Sequence, residues 1–487
     1  FILFGPSFDP AAALALQDPT PEVLGRFGEA LTAGDVNGDG AVDVVVGLPQ
    51  SDVAASVDAG RVVVFLGPAF TETVVLTDPA PEAGALFGAA VATGDLDGDG
   101  IADLIVGAPG SDAVDRVDGG QAFVFLAPAL TFAATLEAPV PNSGARFGSA
   151  LAIGDVSGDG VADLVVGAPM SSLPGTIDAG EAFIFLGGSP FDVAADASLR
   201  DTNPEPGAAF GAAATTTDVN NDGFADVVMG VPAAMAAGEA SAGRTLVFLG
   251  PALAFTTTLW QPQPQLGARF GSALAAGDVN GDGFADVMVG APTASADGIS
   301  SGGVWAFMGP ALAAVVVLPP STPQGLAGFG TALVAADLEG SGEAEIAVGA
   351  PGTAVAGIEM AGEVTIFRSE GLVGPTPTPA PTPTSTPSPI ATPTPAATLP
   401  PPVMVPLVAG WNLAAWEPGV CKEVRVAVEQ LIGAGVLNVV WLFAAPGQEW
   451  LGFDPDAPDV VNTLAQLCQE DIVWIHVGVA IAWAQDP

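Results

Sequence analysis

Positive charge is scarce in this chain: ten lysines and arginines stand against 54 aspartates and glutamates, a formal net charge of −44 over 487 residues. A chain of that sign repels nucleic acid and anionic membrane, so no nucleic-acid partner is expected, and metal cations are the natural counter-charge. One histidine, His476, and one lysine, Lys422, both fall beyond residue 420. Everything before them therefore lacks the commonest general base and the usual phosphate-binding lysine, and neither a His-Glu-x-x-His zinc motif nor a lysine-bearing phosphate loop is present. Cysteine is limited to Cys421 and Cys468. One pair is compatible with an oxidising compartment, but most of the chain must hold together without disulfides. Long apolar runs are missing too: Ile472 to Ala484 is interrupted by His476 and falls short of the ~20 residues a spanning helix needs, so no membrane span is expected and the run reads as buried strand. The chain opens at Phe1 with neither methionine nor a charged-then-apolar leader, which is the expectation for a processed or truncated start.

What is abundant is apolar residue, at 49%, together with 63 glycines and 45 prolines. That is too apolar for a disordered acidic tail and too rich in breakers for helical bundles; short strands joined by many turns fit. The pair Phe-Gly recurs at Phe27, Phe87, Phe147, Phe210, Phe270 and Phe329, spaced by 60, 60, 63, 60 and 59 residues. Each period repeats the same parts: an apolar stretch, an aspartate-rich loop, a β-branched run such as Asp43 to Val46, a Gly-x-Pro turn, a variable loop, and two further strand-like runs such as Val62–Leu66 and Thr73–Leu76. Four short strands per period of about 60 residues describe a β-propeller blade, whose ring arrangement protects sheet edges.

Phe-Gly, an acidic loop and Gly-Ala-Pro in that order resemble FG-GAP repeats, the family that forms the seven-bladed propeller of integrin α subunits. The resemblance covers about three quarters of the chain. It implies an all-β propeller over residues 1–370. The Phe-Leu-Gly type of strand appears seven times, starting at Phe1–Phe4, whereas the other parts appear six times. A seven-bladed ring with its first strands upstream of Phe1 is the expectation, with a six-bladed ring and one spare strand as the alternative.

The acidic loops place oxygen-bearing side chains at positions one, three, five and nine, and position seven offers its backbone carbonyl. In chain order the sets are Asp35, Asn37, Asp39, Ala41 and Asp43; Asp95, Asp97, Asp99, Ile101 and Asp103; Asp155, Ser157, Asp159, Val161 and Asp163; Asp218, Asn220, Asp222, Phe224 and Asp226; and Asp278, Asn280, Asp282, Phe284 and Asp286. Alternate side chains turn inward while the glycines between them allow a tight curl, and oxygen ligands without sulfur or nitrogen select calcium. About five structural calcium ions are therefore expected, and the family resemblance implies the same β-hairpin calcium loops. A sixth loop departs from the pattern, with Asp337, Glu339, Ser341 and Glu345 in the four positions and serine replacing the central carboxylate.

The segments after each Gly-x-Pro differ most between repeats, from Gln50–Ala59 onward, and are rich in alanine, serine and aspartate. Function sits on such loops more often than on the repeated frame. Arg26, Arg146 and Arg269 precede Phe-Gly in three repeats, a locked position that suits a role in the frame. The integrin resemblance implies protein ligands at one propeller face, although no Asp-x-Ser-x-Ser adhesion motif is present.

Residues 371–402 become Pro/Thr-rich, and the 29 residues from Gly374 to Pro402 read as an extended spacer of up to ~90 Å or an O-glycosylated stalk. Residues 403–487 carry six of the eight tryptophans and both cysteines. Gly410-Trp411-Asn412-Leu413 and Asn462-Thr463-Leu464 resemble a small module that follows Pro/Thr linkers in bacterial surface proteins. Strands with one helix at about Cys421–Ala434, a Cys421–Cys468 disulfide and a packed His476 are expected there. The combined expectation is a monomeric, secreted or cell-surface, calcium-stabilised binding or adhesion module for a protein or glycan ligand, without catalysis. The alternatives are the propeller part of a secreted polysaccharide- or lipid-acting enzyme and a structural surface-layer component.

Overall fold

The computed structural model describes residues 14–368 apart from positions 114–115, 190, 296–297, 321, 339–340, 356–357 and 359, and beyond them the backbone of the strands between Val403 and Gln485. The chain divides into two compact units, Phe1–Thr378 and Pro379–Pro487. Among the described residues every regular element is a strand.

The first unit is a β-propeller of six blades. Five blades are four-stranded antiparallel sheets in simple sequential order, and the sixth shows three strands, Ala332–Ala336, Glu345–Ala350 and Glu363–Phe367. Blade one consists of Ala30–Gly34, Asp43–Leu48, Arg61–Leu66 and Glu72–Thr77. Its register aligns Leu31, Val46, Val63 and Val75 across the sheet. Runs such as Asp-Val-Val-Val and Arg-Val-Val-Val-Phe form the second and third strands because β-branched and aromatic side chains suit a pleated surface, and these two strands are buried on both faces. The first strand of each blade lies against the first strand of the next, from Ala30–Gly34 through to Ala332–Ala336. This is the six-bladed alternative; the spare strand expected at Phe1–Phe4 lies outside the described residues.

The core lies between blades. Phe87, from the Phe-Gly pair of blade two, is fully buried against Val45, Val62 and Val64 of blade one and meets Phe123 and Phe125 of its own blade edge-on, with ring centroids 5.3 and 6.1 Å away. Phe147, Phe210, Phe270 and Phe329 repeat the arrangement with at most 1% exposure, whereas Phe27 is 36% exposed. Each of these five buried phenylalanines is also tied to the preceding blade by a parallel backbone bridge, as in Gly60 with Phe87. The phenylalanine of the repeat is thus a wedge between sheets.

The glycines of the motif serve the same junction. The amide of Gly148 donates to the carbonyl of Gly167 in its own blade at 3.0 Å, and its carbonyl rests on Gly107 of the blade before, where a Cβ would lie 2.0 Å from that oxygen. Gly47, Gly167, Gly230 and Gly290 show the same approach to Gly88, Gly211, Gly271 and Gly330, with Cβ-to-oxygen distances of 2.0–2.2 Å.

In the second unit, Gly410–Ala415, Ile472–Val477, Leu437–Ala444 and Glu449–Phe453 form one antiparallel sheet in that order, and Val403–Leu407 pairs with Ile481–Gln485. Lys422 and Glu423 form a short strand paired with Leu467 and Gln466, where a helix was expected to open. The backbone hydrogen bonds to a second strand satisfy these residues in place of helical ones. The rest of that expected helix, and both cysteines, lie outside the described residues.

Gly107→Ala should destabilise the propeller by about 2 kcal/mol or more, because the methyl collides with backbone that cannot move without parting two blades. Gly349→Ala, whose Cβ would meet nothing closer than 3.4 Å, should cost less than about 1 kcal/mol. Urea unfolding of the two variants checks this, and equal losses would rule out the blade-contact explanation.

Candidate metal centres

Every acidic loop joins the first and second strands of its blade, and position nine is the first residue of the second strand, as in Asp43, Asp103, Asp163, Asp226 and Asp286. The position-one aspartate organises the curl. Asp35 accepts from the amides of Gly38 and Asp39 with Oδ1 and of Gly40 with Oδ2, at 2.8–3.2 Å. Asp95, Asp155 and Asp278 repeat all three bonds, and Asp218 accepts from Asp222 and Gly223. Position five accepts from the amide of position seven: Asp39 from Ala41, Asp99 from Ile101, Asp159 from Val161, Asp222 from Phe224 and Asp282 from Phe284. At position three, Asn37 and Asn220 accept the amide of position five and donate their own to its carboxylate, while Ser157 donates to Asp155 at 3.4 Å and Asn280 donates toward Asp286 at 3.5 Å. Asp97 accepts the amide of Asp99 at 3.2 Å.

Position nine does something the spacing alone does not reveal. Both oxygens of Asp226 are held by backbone amides, Val219 at the start of the loop and Gly250 after the third strand, each at 2.9 Å. Asp43, Asp103, Asp163 and Asp286 hold the corresponding amides of Val36 and Gly67, Leu96 and Ala127, Val156 and Gly187, and Val279 and Gly309. All five residues are at most 1% exposed. Burial pushes Asp103, Asp226 and Asp286 up to about 6 and raises Asp163 as well; the amide bonds oppose this, and nearby loop carboxylates such as Asp218 and Asp222 add to it.

The loops are also linked to one another. The position-eight amide of one loop donates to the position-one carbonyl of the loop before: Ala102 to Asp35, Ala162 to Asp95, Ala225 to Asp155 and Ala344 to Asp278, at 2.7–3.2 Å. Position-seven side chains reach the same way, so that Ile101 lies over Gly38 and Phe224 over Gly158. The sixth loop keeps the frame without the central carboxylate: Asp337 accepts from Ser341 and Gly342, and Glu345 accepts from Leu338. Glu339 lies outside the described residues. Arg146 and Arg269 contribute their backbone, each carbonyl accepting a serine hydroxyl at 2.7 Å, and Arg26 pairs with Glu29 at the surface.

Calcium takes oxygen ligands at about 2.3–2.6 Å, which places neighbouring ligand oxygens within about 5 Å of each other. Asp95, Asp97 and Asp99 each offer one carboxylate oxygen, all within 4.8 Å of one another. The other four complete loops have asparagine or serine at position three. In the second loop the donor set therefore fits a hard divalent cation held by Asp95, Asp97 and Asp99, whereas the buried Asp103, expected as a further ligand, is outside this group and has both oxygens on backbone amides.

Asp226→Ala should cost about 3 kcal/mol, since it leaves two buried amides without acceptors. Chemical denaturation in chelator measures this loss apart from any metal. In metal-free protein the raised carboxylates favour the folded state below their unfolded value of about 3.8, and that contribution is lost as pH climbs through about 6. Melting temperature in chelator should therefore rise as pH is lowered from 7 to 5, with a shallower slope in Asp226→Asn; a slope unchanged by the substitution would count against a raised Asp226.

The FG-GAP repeat model matches residues 27–65, 87–125, 147–185, 210–248 and 270–307. Each match runs from a Phe-Gly pair through the acidic loop and into the third strand. Integrin alpha-PS5 of Drosophila melanogaster is 36% identical over 161 residues, 31% of this chain and 16% of that protein. Integrin alpha-PS2 of the same organism is 33% identical over 224 residues, 42% of this chain and 15% of that protein. Human phosphatidylinositol-glycan-specific phospholipase D is 32% identical over 178 residues, 34% of this chain and 21% of that protein. The chain thus spans about a fifth or less of these relatives. Residues 27–307 carry FG-GAP repeats, and those repeats are built into the blades of a β-propeller.

Proposed function

We propose that the protein is an extracellular or cell-surface binding module, a propeller whose acidic loops take calcium and whose variable loops engage a protein or glycan ligand without chemistry of its own. The observation that carries the calcium reading is the fivefold recurrence of one oxygen set on one hairpin, with the Asp95, Asp97 and Asp99 oxygens drawn within 4.8 Å. A bound calcium supplies charge neutralisation at loops whose 16 aspartates otherwise repel one another. At about 1 mM calcium, a site with a dissociation constant of about 0.1 mM adds about 1.4 kcal/mol to folding, so structural stabilisation alone accounts for the loops.

The adhesion reading draws on the similarity to integrin α chains and on the Pro/Thr spacer, which suits display away from a surface. A second reading, the propeller portion of a larger lipid-acting enzyme, is favoured by the similarity to the phospholipase D over 34% of the chain.

Thermal unfolding of the full chain with calcium titrated against chelator should show a large calcium-dependent rise in melting temperature. Native mass spectrometry should count about five ions, and one fewer in Asp95→Ala/Asp99→Ala. Fewer than three ions, or no shift, would falsify the calcium reading. A glycan and matrix-protein array in calcium then separates capture, expected for a binding module, from turnover of a lipid or polymer, expected for the enzyme reading.

A further inference from the structure

The second unit holds most of the tryptophan of a chain that has no tyrosine. Its four-stranded sheet, in the order Gly410–Ala415, Ile472–Val477, Leu437–Ala444 and Glu449–Phe453, places four of these residues by register. Leu413 pairs with Trp474, Trp474 with Trp441, and Trp441 with Gly452, so the four positions share one face. Trp411 and Trp450 stand two residues from Leu413 and Gly452 and fall on the same face, because strand residues alternate between faces. His476, paired with Trp411, and Phe443, paired with Trp450, join them. The opposite face is of another kind: Asn412, Ile475, Val440 and Phe453 form one of its rows, and Ala414, Val473, Leu442 and Leu451 the next.

The tryptophans are also aligned. Trp411 and Trp450 lie in rows on either side of the Trp474–Trp441 pair, so the four run corner to corner across the sheet, one on each strand. At the spacings of a β-sheet that diagonal is about 20 Å long. An aliphatic face is satisfied by burial within the protein, whereas each indole brings an N–H that needs an acceptor once water is removed. Four such donors share a face on which His476 is the one polar residue among the described strands. A ligand suited to this face brings its own acceptors beside flat apolar surface. Sugars combine the two, since the C–H faces of pyranose rings stack on indole and their hydroxyls accept its N–H. The sign of the charge narrows the class: no acid lies on this face of the described strands, and a chain of net charge −44 repels polyanionic glycans.

We propose that this face of the second unit binds a neutral, extended polysaccharide of β-1,4-linked pyranoses, with several consecutive rings along the row from Trp411 to Trp450. Equatorial bonds at both ends of each ring make such a chain a flat ribbon, which matches a straight row of aromatic positions on a sheet, whereas α-linked chains curl away from one. Residues 403–487 carry no copy of the propeller's acidic loop, so this binding does not depend on calcium. It is thereby separable from any ligand of the propeller's variable loops.

The test uses the full chain, in calcium and in chelator, with cellohexaose, chitohexaose and mannohexaose as neutral probes and heparin as the anionic one. At least one neutral hexaose should bind in both conditions and shield tryptophan emission from acrylamide, which its monosaccharide should not do. Trp441→Ala and Trp474→Ala should each weaken that binding about tenfold or more. Trp483→Ala, on the separate two-stranded ladder, should leave it unchanged. The shielding measured on the unsubstituted chain decides the matter where the alanine variants do not fold. No binding or shielding by any neutral hexaose, a preference for heparin, or binding that survives both substitutions would overturn the proposal. Binding lost in chelator would overturn it as well, and would assign the sugar to the propeller instead.

Discussion

The propeller depends on how closely two backbones can approach at the blade junction. The carbonyl of the Phe-Gly glycine of one blade rests on the α-carbon of the Gly-x-Pro glycine of the blade before it, so a side chain at either end separates the sheets. Once the glycines meet, the phenylalanine beside them enters the groove between blades, and its bridge to the residue before the preceding third strand fixes its depth. Phenylalanine and glycine are thus one device: the small residue sets the distance and the large one fills the space that distance defines. The same contact aligns the inner strands and brings the acidic loops of neighbouring blades into line, which is why an amide of one loop reaches a carbonyl of the next.

Within the first five blades the buried position-nine aspartate has the corresponding role. It joins the loop before the second strand to the corner after the third, which for Asp226 begins 24 residues further on at Gly250, through two charge-assisted bonds in a site with almost no exposure. An aspartate there is under tension: burial disfavours its charge, and the carboxylates at positions one and five disfavour it further. A divalent cation on the rim would relieve the part of that cost due to neighbouring charge. Loop, position-nine aspartate and ion would then form one electrostatic unit; in the sixth loop, with Ser341 at its centre, Asp337 still accepts the amides of Ser341 and Gly342.

The blade period, the strands and the loop positions were legible in the residues, because β-branched runs such as Asp43 to Val46 and a motif repeated near every 60 residues leave few alternatives. The second bond of the position-nine aspartate was not legible, since its partner, Gly67 in blade one, carries no side chain and is identified only by where the chain returns. Nor was the reach of Ile101 over Gly38, which depends on the stagger between blades. At Lys422–Glu423 a helical reading failed because pairing with Gln466–Leu467 is a long-range choice that local propensity does not encode.

Repetition within one chain also serves as an internal control on function. Where all six blades keep an interaction, as with the backbone amide that Glu22, Glu82, Asn142 and their counterparts accept 30 residues further on, the frame requires it and the residue type is free to change so long as it accepts a hydrogen bond. Where residues change together, as with the acidic pair and the arginine of blades one and four, Asp18 and Glu22 with Arg61 and Asp201 and Glu205 with Arg244, a second requirement is at work beyond the frame. Blade two keeps the acidic half of that pair with Gln121 in the arginine's place, and there Asp78 and Glu82 still accept backbone amides, from Ala80 and Asp112. The same logic directs attention to the loops after each Gly-x-Pro, whose residues differ between blades and which the frame does not need to specify.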